Sequence, residues 1–153
     1  MADMRIGVSN GDTLVTHGLG SCLGVTAYDP RSRVGGILHV MLPESRVAPE
    51  RTRDNPLMFV DTGATLFFTA LFEHNAHKGR LVVKIAGGAC PLGAPRGIFA
   101  VGERNYMALR RILWSNGIPV AAEDVGGRSA RTLTLDIATG STWLTVEGRQ
   151  DRL

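Results

Sequence analysis

The sequence predicts an α/β (α+β) fold: a single layered domain spanning residues 1–153, with a mixed β-sheet and two main helices. Two patterns carry this reading. Short apolar runs bounded by glycine and proline outnumber two longer segments of helical periodicity. Their order mixes neighbouring hairpin-like strands with a strand–helix–strand crossover, which suits layers rather than a bundle. Length agrees, since 153 residues are about one domain's worth. With 44% hydrophobic and 20% charged residues, the chain has the composition of a folded domain rather than a disordered one. Its 19 glycines imply tight turns or close backbone approaches. Its 5 Phe, 2 Trp and 2 Tyr leave the core mostly aliphatic.

Taken in order, Asp12 to Gly20 and Leu23 to Tyr28 read as two strands around a Gly-Leu-Gly-Ser-Cys turn, the second closed by Asp29-Pro30. Gly35 to Leu42 is a continuous apolar run ended by Pro43, the mark of a buried strand. Glu44 to Pro56 is polar, carries two prolines and reads as a loop. Asp61 to Asn75 reads as a helix, capped by Asp61 or Thr62, with Leu66, Phe67, Ala70 and Leu71 as its apolar stripe and Gly79 as its stop. Leu81 to Ile85 is a strand leading into Gly87-Gly88 and a Pro/Gly-rich loop through Gly97. The second helix is Glu103 to Asn116, with Tyr106, Leu109, Ile112 and Leu113 inward and Gly117 as its stop. Ile118 to Ala122 is a strand, and Thr132 to Ile137 with Thr142 to Val146 form a hairpin around Thr139-Gly140. A polar tail follows from about residue 147.

Charge excludes some function classes. The net charge is +3, and 15 of the 17 basic residues are arginines, scattered singly or in pairs. No cluster is interleaved with aromatics, so nucleic-acid binding is not expected, whereas a mild preference for acidic partners is. The N-terminal segment carries Asp3, Arg5 and Asp12 and has no apolar signal-type core. The longest uncharged stretch, Thr13 to Tyr28, is too short and polar to span a bilayer. The cytoplasm is the expected location, with Cys22 and Cys90 reduced.

Cys22 closes the uncharged run Gly18-Leu19-Gly20-Ser21-Cys22. One reading is a small buried hydrophobe at a strand start. The other is a nucleophile on a sharp turn, where glycines admit a substrate carbonyl and backbone N–H groups form an oxyanion hole. His39 lies inside an otherwise apolar strand, where it must find a hydrogen-bond partner. It is either a satisfied core histidine or the partner of Cys22. In the second case the two would rest largely as thiolate and imidazolium, with the thiol titrating below its ordinary range.

Further blocks accompany these two. Thr16-His17-Gly18-Leu19-Gly20-Ser21-Cys22 is followed by Asp29-Pro30, by Gly36 to Pro43 around His39, and by Asp61-Thr62. Then come Lys84-Ile85-Ala86-Gly87-Gly88-Ala89, Gly102-Glu103-Arg104-Asn105, Glu123-Asp124-Val125-Gly126-Gly127 and Arg131. In this order, from about Val8 to Val146, the set resembles the CheD family of chemoreceptor glutamine deamidases of bacterial chemotaxis. The resemblance implies the cysteine hydrolase fold of the cytotoxic necrotizing factor-type deamidases. It also implies Cys22 as nucleophile, His39 as acid and base, and Thr16 as the residue orienting His39. The backbone N–H groups of Ser21 and Cys22 are the expected oxyanion donors.

The implied reaction converts glutamine side chains to glutamate on methyl-accepting chemotaxis receptors, releasing ammonia through a thioester. This is protein-glutamine glutaminase chemistry, needing no metal or organic cofactor. The expected partners are receptor cytoplasmic domains and a CheC-type phosphatase. Two alternatives stand beside it: a docking module for those partners, and a different cysteine acyl-transfer enzyme such as a transglutaminase or peptidase. No heptad or long apolar edge is evident, so a monomer is expected.

His17 departs from the family pattern and offers a rival base. Neighbouring residues of a strand face opposite ways, so with Thr16 inward His17 faces solvent. His74 and His77, near Glu73, suit the end of a helix better than a metal. Cys90 reads as a packing residue. Gly126-Gly127-Arg128-Ser129 reads as a turn, since no phosphate-loop motif accompanies it.

Overall fold

The structure, a computed structural model, describes residues 2–90 and 96–153, with the backbone alone at 96–100. Among the described residues nine strands form two sheets: β1 (Asp3–Gly7), β2 (Thr13–Leu19), β3 (Leu23–Asp29), β4 (Val34–Val40), β5 (Val82–Gly87), β6 (Val120–Val125), β7 (Arg131–Asp136), β8 (Thr142–Val146) and β9 (Arg149–Arg152). The five-stranded sheet runs β1-β4-β3-β5-β6 and the four-stranded sheet β2-β7-β8-β9. Only β5 and β6 are parallel, and the connection between them carries a helix, as a parallel pair requires. The helices are α1 (Pro49–Asp54), α2 (Val60–Glu73) and α3 (Arg96–Ser115).

The larger sheet is covered on both faces, and its sequence shows it. β3 and β4 are buried at every residue, which is why they read as continuous apolar runs rather than alternating ones. One face, with Leu23, Val25, Leu38, Val40, Val83 and Ile85, packs against Phe67, Leu71, Leu109 and Leu113 of α2 and α3. On the other face Cys22, Ile37 and Ala86 meet Leu19, Leu133 and Leu144 of the smaller sheet. Gly24 makes that approach possible. A Cβ there would lie 2.6 Å from Leu19 Cδ1, so Leu19 occupies the space a side chain would fill.

The α+β class and the mixed sheet stand, but several element assignments are corrected. The sheet is two sheets. β1, too short and polar to signal itself, adds an edge strand to β4 in register, with Asp3 opposite His39 and Arg5 opposite Ile37. The segment expected as a loop, Glu44 to Pro56, holds a 3₁₀ turn (Ser45–Val47) and α1, which begins at Pro49 where a missing N–H costs nothing. α2 starts at Val60, and Asp61 does not cap it. The N-cap is Phe59, and the Asp61 carboxylate accepts from the N–H and hydroxyl of Ser45 at 2.8–3.0 Å and from Thr62 N–H at 2.9 Å. The loop expected after Gly88 falls on residues 91–95, outside the described residues, and α3 already begins at Arg96. The expected polar tail is no tail, because Arg149–Arg152 pairs with β8 as a fully exposed edge strand. Among the described residues no helix is long and apolar enough to cross a membrane.

Candidate active site

Cys22, His39 and Thr16 come from three segments that the topology brings to the space between the sheets. The β3–β4 register pairs Gly24 with His39. Cys22 continues the line of β3, since its carbonyl accepts from Gly88 N–H at 2.8 Å as the next rung toward β5. Cys22 therefore lies on the same sheet face as His39, one step along the diagonal, a separation of about 7–8 Å between Cα atoms, and no hydrogen bond joins the two side chains.

Thr16 arrives from the other sheet. β2 breaks register between Thr16 and Leu19, with Gly18 in the left-handed region at φ 69°. This bulge leaves Thr16 facing inward and still lets Leu19 plug the gap above Gly24. Thr16 Oγ1 and His39 Nδ1 share a hydrogen bond of 2.8 Å. His39 is 4% exposed, and its Nε2 is buried without a partner. His17 faces outward, with Nδ1 3.2 Å from Thr132 Oγ1 on the neighbouring strand, as strand parity required.

A cleft of about 310 Å³ between the edges of β1 and β2 is lined by Asp3, Arg5, Thr16, His17, Ile37 and His39 among others; Cys22 is not among its lining residues. Asp3, opposite His39 in the β1–β4 register, is largely exposed and pairs with Arg5 at 3.2 Å. The imidazole's hydrogen-bond partner is thus a neutral hydroxyl. A larger cleft, about 560 Å³, lies elsewhere, on the outer side of α3 around Met107 and Trp114.

Electrostatics differ from the expected ion pair. Burial pushes the Cys22 thiol above its ordinary range, with its own backbone N–H opposing the shift. Burial likewise holds His39 below the usual histidine range. Both shifts favour uncharged forms. Burial thus works against the expected thiolate–imidazolium pair.

The turn bearing Cys22 is held from behind. Gly20 O accepts from Ala89 N–H at 2.7 Å. Asn105 of α3, fully buried, donates from Nδ2 to Ser21 O at 3.1 Å and to Met41 O at 2.9 Å. Gly87, at φ 113°, passes so close that a Cβ would stand 2.2 Å from Cys22 O. Neither Asn105 nor Gly87 stood out as a functional residue in the sequence. The available signal was a polar residue four before Leu109, on the stripe that α3 buries.

The remaining candidates take structural places. His74 Nδ1 is bonded to Ala70 O at 2.8 Å, and His77 Nδ1 accepts from Gly79 N–H. Among the described residues no group of three His, Cys, Asp or Glu side chains is arranged to hold a metal. Gly126 to Ser129 form the turn from β6 to β7. It is braced by Arg131, which donates to Asp124 Oδ1 at 2.6–2.8 Å and to Ser129 O. Cys90 is half-buried, its N–H donating to Gly127 O at 2.8 Å.

Known proteins resemble this chain along its length. Residues 41–146 match the family model described as CheD chemotactic sensory transduction. A protein of Solibacter usitatus named "Probable chemoreceptor glutamine deamidase CheD" is 44% identical over 153 residues, 100% of this chain and 90% of the relative. Proteins of the same name from Syntrophotalea carbinolica and Pyrococcus horikoshii are 37% and 41% identical, covering 97% and 92% of this chain and 97% and 85% of the relatives. The family-model match begins after Cys22 and His39, but the Solibacter relative spans both. The chain belongs to the CheD family.

Proposed function

We propose that this protein deamidates glutamine side chains on the cytoplasmic domains of methyl-accepting chemotaxis receptors, with Cys22 as nucleophile. The observation that carries the mechanism is the Thr16–His39 hydrogen bond, which leaves a buried, unpartnered Nε2 on the face that carries Cys22. In the tautomer that serves, His39 Nδ1–H donates to Thr16 Oγ1 and Nε2 keeps its lone pair.

A neutral resting pair, the form that burial favours, sets the order of events. As sulfur attacks the carboxamide carbon, its proton passes to Nε2 and the carbonyl electron pair moves onto oxygen. The N–H groups of Ser21 and Cys22 receive that oxyanion. Collapse breaks the C–N bond, and the imidazolium gives its proton to the leaving ammonia. Water then attacks the thioester, losing a proton to His39. Thiolate departs and is reprotonated, leaving glutamate. Thr16 keeps the imidazole in one orientation throughout, the role of the third member in catalytic triads.

The layers are read as the cysteine hydrolase fold of cytotoxic necrotizing factor-type deamidases, in one domain acting as a cytoplasmic monomer. A second, compatible role is docking to a CheC-type phosphatase, supported by Met107 and Trp114, which are 56% and 67% exposed beside Arg110 and Arg111.

The test is incubation of the protein with a receptor cytoplasmic domain, with Cys22→Ala alongside, and product mapping by mass spectrometry. Expected are glutamine-to-glutamate conversions and ammonia with wild type only. Chain cleavage or amine incorporation would reassign the enzyme to a peptidase or transglutaminase, and unchanged glutamines would end the proposal.

A further inference from the structure

The three carbonyls of the Cys22 turn are each pinned by a donor behind the site: Gly20 O by Ala89 N–H, Ser21 O by Asn105 Nδ2 and Cys22 O by Gly88 N–H, at 2.7–3.1 Å. A trans peptide is planar, with C=O and N–H pointing opposite ways. Fixing a carbonyl therefore aims the N–H of the following residue. The Ser21 carbonyl shares its plane with Cys22 N–H, the proposed oxyanion donor, and among the described residues only a side chain holds it. The other two carbonyls are held by backbone.

Asn105 is shaped for this task. Both its amide hydrogens are spent, on Ser21 O and on Met41 O, while its Oδ1 is buried with no partner. The reverse amide orientation would set Oδ1 against two carbonyls, so the donors face the turn. A buried carboxamide with an idle acceptor is costly unless its donors matter. Those donors tie the peptide before Cys22 to the residue two beyond His39. The α3 backbone is seated tightly here, since a Cβ at Gly102 would lie 2.6 Å from Gly88 O.

We infer that Asn105 is a positioning residue: by holding the Ser21 carbonyl it presets the Cys22 N–H to receive the oxyanion. The inference rests on Cys22 acting as proposed. Two reactions of Cys22 separate this role from general support. Deamidation builds negative charge on oxygen. Alkylation by iodoacetamide displaces iodide from carbon and needs no oxyanion donor.

The experiment measures receptor deamidation and iodoacetamide inactivation across pH for wild type, Cys22→Ala and Asn105→Ala, with circular dichroism as the check on folding. Asn105→Ala is expected to lower kcat by about 10–100-fold, a fraction of what deleting an oxyanion donor costs. KM and the alkylation profile should stay unchanged. Asn105→Ser, which leaves a smaller cavity, serves the same purpose if the alanine variant does not fold, and loss of fold in both overturns the inference in favour of a purely structural role. Unchanged kcat, a change in KM alone, or parallel losses in kcat and alkylation in folded protein would also overturn it. Wild type that alkylates at Cys22 yet deamidates no receptor glutamine removes the underlying reading instead, and this inference with it.

Discussion

Thr16 Oγ1 and His39 Nδ1, 23 residues apart in sequence and on strands of different sheets, lie 2.8 Å apart. The contact exists because β2 is an edge strand bulged at Gly18 and β4 is buried beneath it. A single hydroxyl thus holds a buried imidazole through Nδ1. Thr16→Val keeps the strand-favouring shape and replaces only that hydroxyl, so kcat should fall roughly 10–100-fold, at or below the lower end of the ~10²–10⁴ attributed to acid–base groups. Thr16→Ser should stay near wild type. A fully active valine variant in the receptor assay would show that the hydroxyl does not orient His39.

The two histidines near the turn should separate sharply. His39→Ala removes the proton acceptor and should cost at least ~10²–10⁴ in kcat. His17, outward on β2 and bonded only to Thr132 Oγ1, should tolerate alanine with most activity kept. If His17→Ala were as damaging as His39→Ala in folded protein, the assignment of the base would be wrong.

How much of this was legible in sequence depends on how each residue is buried. β3 and β4 announced themselves because both faces are covered, leaving unbroken apolar runs that include His39. β1 and β9 did not, since edge strands carry Asp3, Arg5, Arg149 and Arg152 into solvent and lose the apolar pattern. Cys22 and His39 were singled out from their local sequence, each beside a bland reading, whereas Thr16 entered only through motif resemblance. The charge state of the Cys22–His39 pair was not legible, because it depends on burial that only the second sheet creates.

That charge state is open to measurement. The thiolate is the form that alkylates, and burial raises the Cys22 pKa above its ordinary value. Inactivation by iodoacetamide should therefore keep accelerating through and beyond about pH 8.5, where an ordinary thiol is half ionised. His39, held low by burial, stays neutral and able to accept a proton down to below about pH 6.5, so deamidation should lose activity only on the acid side of that value. An alkylation plateau already reached by pH 7 would instead show a standing thiolate–imidazolium pair.

Stability should fall in acid for a reason outside the site. Asp29 at the end of β3 is fully buried, and its carboxylate accepts from Arg80, the closest contact being 2.7 Å, and from the N–H groups of His77, Arg31 and Ser32. Burial alone would raise its pKa, but these donors outweigh it and hold the carboxyl far below the usual range. The unfolded chain then protonates first as pH drops. The contribution is complete above the unfolded value of about 3.9 and is lost progressively below it. Asp29→Asn should lower stability at pH 7 by about 3 kcal/mol, or some 6–12 °C in Tm, and should flatten the acid limb. Thermal melts at pH 7 and pH 3 check both, and an unaltered acid limb would point to other carboxylates.

Gly87 gives the sharpest test of how the turn is built. It holds φ 113°, and an added Cβ would meet Cys22 O, a backbone atom, at 2.2 Å. That oxygen is already committed to Gly88 N–H, so Gly87→Ala must move the nucleophile's own peptide. Gly148 supplies the control. It also has positive φ, 81°, but nothing lies within 4 Å of its Cβ position. Gly148→Ala should cost only the backbone strain, about 1–3 kcal/mol, and leave kcat intact. Gly87→Ala adds a steric displacement to a similar strain, and kcat should drop by about 100-fold, the scale expected when reacting groups are misplaced by an ångström. Melting temperatures and deamidation rates for the two variants decide it. Equal activity in both would mean that the Cys22 turn relaxes freely, and that its close seating against β5 is packing without catalytic consequence.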